Sequence, residues 1–302
     1  MGLRIVIALT GVVVVGGGIA AGLVFGSADG GSPAGAGLRV VAAENVYGDV
    51  VSQIGGSHVS VSSVLSDPNA DPHLFEPGTR NGLAVARAEL VVQNGLGYDA
   101  FMERLERAAP AVGRRVLTIA DVLGVHGAKA NPHLWYDVPR LGRIGAAIAS
   151  ELERADPAHA ADYRAGLRRF DASLAPLRAE VARIRSRFAG APVAYTEPVP
   201  GYLVDAAGLV NRSPEAFTRA IEAGTEPSPQ AVSAMTALVS RRDVRVLLYN
   251  SQAVSPITQR LREAARGAGV PVVAVSEMLP AGRSFQQWQL AQARSLEAAL
   301  AR

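Results

Sequence analysis

The chain predicts an α/β fold: two similar lobes, each built on a parallel sheet, joined by one long rigid helix. Three observations predict it. Short β-branched runs alternate with amphipathic helical patterns from Leu38 onward, which is how a parallel sheet with helical crossovers reads in sequence. A single stretch from Asp156-Pro157 to Phe188 breaks that rhythm with one sustained helical period. The length of 302 residues suits about two domains of roughly 100 to 200 residues each.

In chain order, the first segment is apolar and Gly-rich, from Ile5 to Phe25 behind Arg4, and is followed by Gly26-Ser27-Ala28. A signal peptide has an apolar core of about 7–15 residues and a spanning helix needs about 20. Residues 1–28 are therefore expected to be a signal peptide or a membrane anchor, and residues 29–37, rich in Gly, Ser, Pro and Ala, a flexible linker. Either reading places the remainder outside the cytoplasmic membrane, at the cell surface or in a periplasm.

The N-terminal lobe is expected over residues 38–155, with strands at 39–43, 59–65, 90–94 and 116–120 and helical patterns at 45–54, 80–88 and 98–109. The connecting helix follows over 156–189, opened by the N-cap Asp156 and the first-turn Pro157. The C-terminal lobe is expected over 190–302, with strands at 193–196, 244–249 and 272–276 and helices at 228–241, 256–267 and 284–301.

Composition removes several functions. With 49% hydrophobic and 19% charged residues the chain is globular rather than disordered. It holds no cysteine, which excludes a disulfide, a thiolate metal site, a cysteine nucleophile and a lipidated cysteine. Its net charge is +3, and all but one of its 30 basic residues are arginines scattered through helical patterns, Lys129 being the exception. No basic patch of the kind that binds nucleic acid is present in that pattern.

The chemistry is concentrated in a repeated pentad. Asp71-Pro72-His73-Leu74-Phe75 and Asn131-Pro132-His133-Leu134-Trp135 share an Asx-Pro-His-Leu-aromatic pattern. Each follows a predicted strand, so each histidine is expected on a loop at the carboxyl end of a sheet, where open α/β folds place ligands. An isolated loop histidine is usually a surface residue, and His58, His126 and His159 are read that way. Two glutamates close apolar runs in the second lobe: Glu197 after Val193-Ala194-Tyr195-Thr196, and Glu277 after Val272-Val273-Ala274-Val275-Ser276. Such an acid can also serve a helix N-terminus. Together with His73 and His133, however, the pair makes a neutral set around one divalent cation in a cleft between the lobes.

Further motifs carry a family resemblance. Asn45-Val46-Tyr47, Phe75-Glu76-Pro77, Asn94-Gly95-Leu96-Gly97-Tyr98-Asp99, Gly201-Tyr202-Leu203 and Glu226-Pro227-Ser228-Pro229, with the two pentads and the long helix, resemble the metal-binding solute-binding proteins of ABC transporters. These are the helical-backbone zinc and manganese receptors of the TroA-like group. The resemblance implies a monomeric, non-enzymatic receptor that holds one Zn2+ or Mn2+ ion, with Fe2+ ranked behind them, and hands it to a membrane permease. It implies His73, His133, Glu197 and Glu277 as the ligands. The chain departs from zinc-specific relatives in lacking a His-rich loop before His133 and in carrying Glu197 where many have histidine. Glu277 stands where relatives commonly carry Asp, and Asn250 where many have an acid, so Asn250 is not counted as a ligand. Carboxylates in place of imidazoles favour manganese or iron(II), whereas the Irving–Williams order favours zinc.

Three consequences accompany this reading. Glu76 and Asp137 are candidates for orienting the imidazoles. A stiff connector limits lobe rotation. Metal affinity should fall as the histidines protonate below pH about 6.5. The rival readings are a metal-dependent hydrolase using the same site and a surface adhesin-like receptor. The chain lacks His-Glu-x-x-His, Gly-x-Ser-x-Gly, a P-loop and a dinucleotide fingerprint after a strand.

Overall fold

The computed structural model describes residues 37–302. The expected signal peptide or anchor (1–28) and all of the linker but Gly37 lie outside the described residues. Two four-stranded parallel sheets organise the chain. The first contains β1 (Leu38–Glu44), β2 (Val59–Leu65), β3 (Leu90–Gln93) and β4 (Arg115–Thr118) in the order β2-β1-β3-β4. The second contains β5 (Pro192–Tyr195), β6 (Val210–Asn211), β7 (Val246–Asn250) and β8 (Val272–Val275) in the order β6-β5-β7-β8. The spatial order is the same in both, and every pairing is parallel. The central strands are apolar along their length because helices cover both faces: all five residues of β7 are buried, as are Leu90, Val91 and Val92 of β3.

The two-lobed α/β architecture is as the sequence predicts, and the connecting helix is bent. It runs as a short 3-10 turn at Pro157–His159 and then as helices Ala160–Ser173 and Ala175–Phe188, with Leu174 at the break. Pro176 supplies the cause. It has no N–H to donate to the Ala172 carbonyl one turn back, and its ring crowds that carbonyl. Pattern reading also passed over several elements: β6, which has two residues, and the helices Ile119–Leu123, Leu141–Ala155, Gly201–Ala206 and Glu215–Glu222. Among the described residues no helix is long and apolar enough to cross a membrane.

Two packing details fix the connecting helix and the core. Gly166 lets helix Ala160–Ser173 lie directly on helix Asn45–Gly55, since a Cβ there would meet the Ile54 carbonyl oxygen at 2.1 Å. The largest apolar cluster runs without interruption through both sheets, taking Val40 and Val92 from the first and Val193, Val246 and Val273 from the second. A smaller cluster belongs to the first sheet and its helices, with Val41, Leu65, Val85, Phe101 and Met102 at its centre. Met278, which follows β8, is fully buried in it.

Candidate metal centre

Each pentad folds into the same local device. The side chain of Asp71 accepts the backbone N–H of His73 at 2.9 Å, and the side chain of Asn131 accepts that of His133 at 3.1 Å. Such Asx turns hold the chain while the following proline fixes φ. His73 then lies in the 3-10 turn Pro72–Leu74 after β2, and His133 immediately precedes the turn Leu134–Tyr136. The repeated sequence is thus a repeated mount for an imidazole.

The acids arrive from the other sheet. Glu197 stands two residues beyond β5 and Glu277 two beyond β8, and both are buried, as is His133. His73 is the most open of the four, with 16% of its side chain exposed. His73 Nε2 lies 2.7 Å from Glu197 Oε1, and His133 Nε2 lies 3.0 Å from Glu277 Oε2. His73, Glu197 and Glu277 each offer an atom within 4.8 Å of the others. His133 joins them through Glu277. The structure therefore brings all four residues to one point, at the carboxyl ends of strands from both sheets.

Neighbours fix the orientation of these groups. His133 Nδ1 lies 2.8 Å from Asn131 Oδ1, which places the ring proton on Nδ1 and leaves Nε2 facing the cleft. The Asn131 amide also donates to the Pro198 carbonyl at 2.7 Å, in the loop that carries Glu197. Tyr98 donates its hydroxyl to Glu277 Oε2 at 2.8 Å. Asn250, at the end of β7, donates from one nitrogen to Glu197 Oε2 and to Glu277 Oε1, the latter at 2.7 Å. Glu76 and Asp137 do not take the orienting role expected of them: Glu76 is exposed, and Asp137 pairs with Arg140. Asn131 performs it for His133. Its place two residues before the histidine was visible, but an Asx-Pro pair reads first as a turn.

The charges are strongly coupled. Burial alone would lower the pKa of His73, but the hydrogen bond and charge of Glu197, with the charges of Glu277 and Glu222, push it up to about 9. Burial works the same way on His133, and the charge of Glu222 and the contact with Glu277 raise it. Burial would raise Glu277, yet His133, His73 and the Tyr98 hydroxyl hold it below the usual carboxylate range.

Glu222 escaped the sequence reading. It ends the helix Glu215–Glu222, where an acid reads as part of a solvated face. Its Oε2 instead lies 3.9 Å from His133 Nε2. The remaining histidines are remote from this cluster: His58 stacks on His159 with ring centroids 3.9 Å apart, and His126 is exposed.

Two imidazoles and two carboxylates thus converge from both sheets, donor types that divalent transition metals accept, and His73, Glu197 and Glu277 are close enough to share one ion. Residues 40–299 match the family described as zinc-uptake complex component A, periplasmic. The manganese-binding lipoprotein MntA of Bacillus subtilis is 26% identical over 157 residues, which cover 49% of this chain and 51% of that protein. The chain thus spans about half the length of the first curated relatives it matches. The manganese ABC transporter substrate-binding lipoprotein scaA of Streptococcus gordonii is 22% identical over 254 residues, 78% of each protein. The solved structure of the SBP FpvC of Pseudomonas aeruginosa in complex with Mn2+ superposes with a TM-score of 0.75 at 22% identity, over 88% of this chain and 98% of that one.

Proposed function

Because the chain belongs to the zinc-uptake complex component A family, we propose that it is an extracytoplasmic solute-binding receptor that captures one divalent transition metal ion, zinc or manganese, and delivers it to an ABC import permease. The observation that carries this reading is the convergence of His73, His133, Glu197 and Glu277 from four loops of two sheets, with every donor largely or wholly buried. Two neutral imidazoles and two carboxylates neutralise a divalent cation, which offsets the cost of burying its charge. The ion is cargo, held and released without chemical change.

Capture is an exchange of partners. Each histidine is paired with a carboxylate, His73 with Glu197 and His133 with Glu277. An arriving cation takes the place of the imidazole protons and draws the same carboxylates onto itself. The apolar cluster shared by both sheets resists wide opening, so small loop shifts at the strand ends accompany binding.

The same geometry favours a receptor over a hydrolase. A catalytic zinc keeps an open position for water, whereas four buried protein donors fill a tetrahedral shell. The relatives named as lipoproteins support an exported location, with residues 1–28 serving as signal or anchor and the receptor acting as a monomer. In this reading the lobes are residues 38–155 and 190–302, joined by 156–189.

The test is calorimetric titration of the metal-stripped, full-length chain with Zn2+ and Mn2+, beside a His73→Ala, Glu197→Ala double variant. One tight site per chain, lost in the variant, is the expected result. Absence of a tight site for both ions would refute the assignment.

A further inference from the structure

Glu222 is the one acid at this cleft whose position the four-donor reading leaves without a purpose. Its Oε2 is buried and has no hydrogen-bond partner. Leaving a carboxylate oxygen unsatisfied at such a place costs free energy, about 1–3 kcal/mol for a polar group and more for a charged one. A helix-end residue facing open solvent elsewhere would avoid that cost.

The distances give the orphan oxygen a use. Two donors bound to one ion at about 2.1 Å each stand no more than about 4.2 Å apart. Glu222 Oε2 lies 3.9 Å from His133 Nε2, inside that limit. Glu222 also borders two cavities that adjoin the cleft. One, of about 460 Å³, it shares with His73 and Tyr98, and the other, of about 340 Å³, with Asn131 and Tyr202. Its side chain is 22% exposed, in contrast to the fully buried Glu197 and Glu277. It therefore combines an unsatisfied oxygen with room to move.

We propose that Glu222 is a fifth donor, which closes on the captured ion and selects for cations of coordination number above four. This rests on the receptor reading above and adds a determinant of specificity to it. Zinc is satisfied by four ligands in a tetrahedron. Manganese(II) prefers more ligands, with oxygen dominant. A fifth carboxylate therefore adds more to manganese binding than to zinc binding. Its negative charge, by contrast, attracts two divalent cations at the same point equally. The ratio of the two affinities thus separates ligation from charge, because a purely electrostatic role leaves it unchanged.

The experiment compares the metal-stripped, full-length chain with Glu222→Gln and Glu222→Asp. Each is titrated with Mn2+ and with Zn2+ against a chelator of known affinity, and its melting temperature is recorded. Glu222→Gln removes the charge; Glu222→Asp keeps it but withdraws the oxygen by one methylene. The expected result is a manganese-to-zinc affinity ratio lowered about tenfold or more in both variants, with zinc binding weakened in Glu222→Gln only by the lost charge. Retained zinc binding doubles as the control for folding. A manganese-to-zinc ratio unchanged from the parent chain, in variants that melt as the parent does, overturns the fifth-donor role and leaves the receptor reading standing. A parent chain with no tight site for both ions overturns the two together.

Discussion

Asn131 Oδ1 accepts from His133 Nδ1 at 2.8 Å, and the other end of the same amide donates to the Pro198 carbonyl beside Glu197. One side chain therefore sets the tautomer of an imidazole on one sheet and braces the loop of a carboxylate on the other. Replacing Asn131 with Ala leaves all four proposed ligands in place while freeing the His133 ring. Loss of a partner that orients a metal ligand costs about 10–100-fold in affinity, and that loss is expected for zinc in a chelator competition assay. Unchanged affinity would show that packing against Trp135 and Tyr98 alone holds the ring.

Metal uptake should release protons. With the pKa of His73 pushed up to about 9, its ring is protonated at neutral pH and must lose that proton to ligate. Affinity therefore climbs with pH up to about 9, by as much as about tenfold per unit for each proton displaced. This places the onset of weakening well above the pH of about 6.5 that an unperturbed histidine implies. Titrations at pH 7.5 in buffers of different ionisation enthalpy measure the protons released, and a count of zero would refute the claim. In the metal-free chain the same raised pKa has the opposite sense: the His73–Glu197 pair stabilises the fold fully below about 6.5, and that contribution fades as pH rises through about 9.

The Asn250 amide lies between Glu197 and Glu277 and donates to both. Asn250→Ala leaves two buried carboxylate oxygens facing each other without a donor, which should lower the stability of the metal-free chain by about 1–3 kcal/mol. A bound cation supplies the missing positive charge. The rise in melting temperature on adding zinc should accordingly be larger in the variant than in the parent, and an equal rise would count against the bridging role.

Gly166→Ala is expected to destabilise the chain by about 1–3 kcal/mol or more, because the added methyl meets the Ile54 carbonyl oxygen rather than a side chain that can yield. The two helices must separate. Denaturant midpoints measure the loss, and a midpoint equal to that of the parent would show that the helices part at no cost. Metal affinity should stay near that of the parent, since the loops that carry the four proposed ligands lie at the carboxyl ends of the strands.

Much of this was legible in the sequence. The buried parallel strands announce themselves as runs such as Leu90-Val91-Val92, and the Asx-Pro-His pentads are visible because a rare residue recurs in a near-identical setting. Glu197 and Glu277 follow from their position directly after such runs. What stayed hidden depends on the third dimension. Two-residue β6 is too short to carry a period. The bend at Leu174 turns on a proline two residues into an otherwise regular helical pattern. Glu222 sits on a helix whose polar spacing matches a solvated face, and only the loop from the first sheet brings His133 beside that carboxylate. Asn250 drew notice as a substitute for an acid, and its bridging role needed the distance between two residues 80 positions apart in sequence, Glu197 and Glu277.

Met278 gives the site a latch. It adjoins Glu277 in the chain, yet its side chain is fully buried in the apolar cluster of the opposite sheet, which also holds Val41, Leu65, Val85 and Phe101. Any displacement that carries Glu277 away from an ion tends to draw this thioether into water, at a cost of about 1.5–3 kcal/mol. An opening on that route is populated roughly ten to a hundred times less than it would be without the anchor. On the proposed receptor reading, the ion is thus guarded against leakage, and its residence time becomes a property that the proposed permease can shorten by prising a single methionine from its socket.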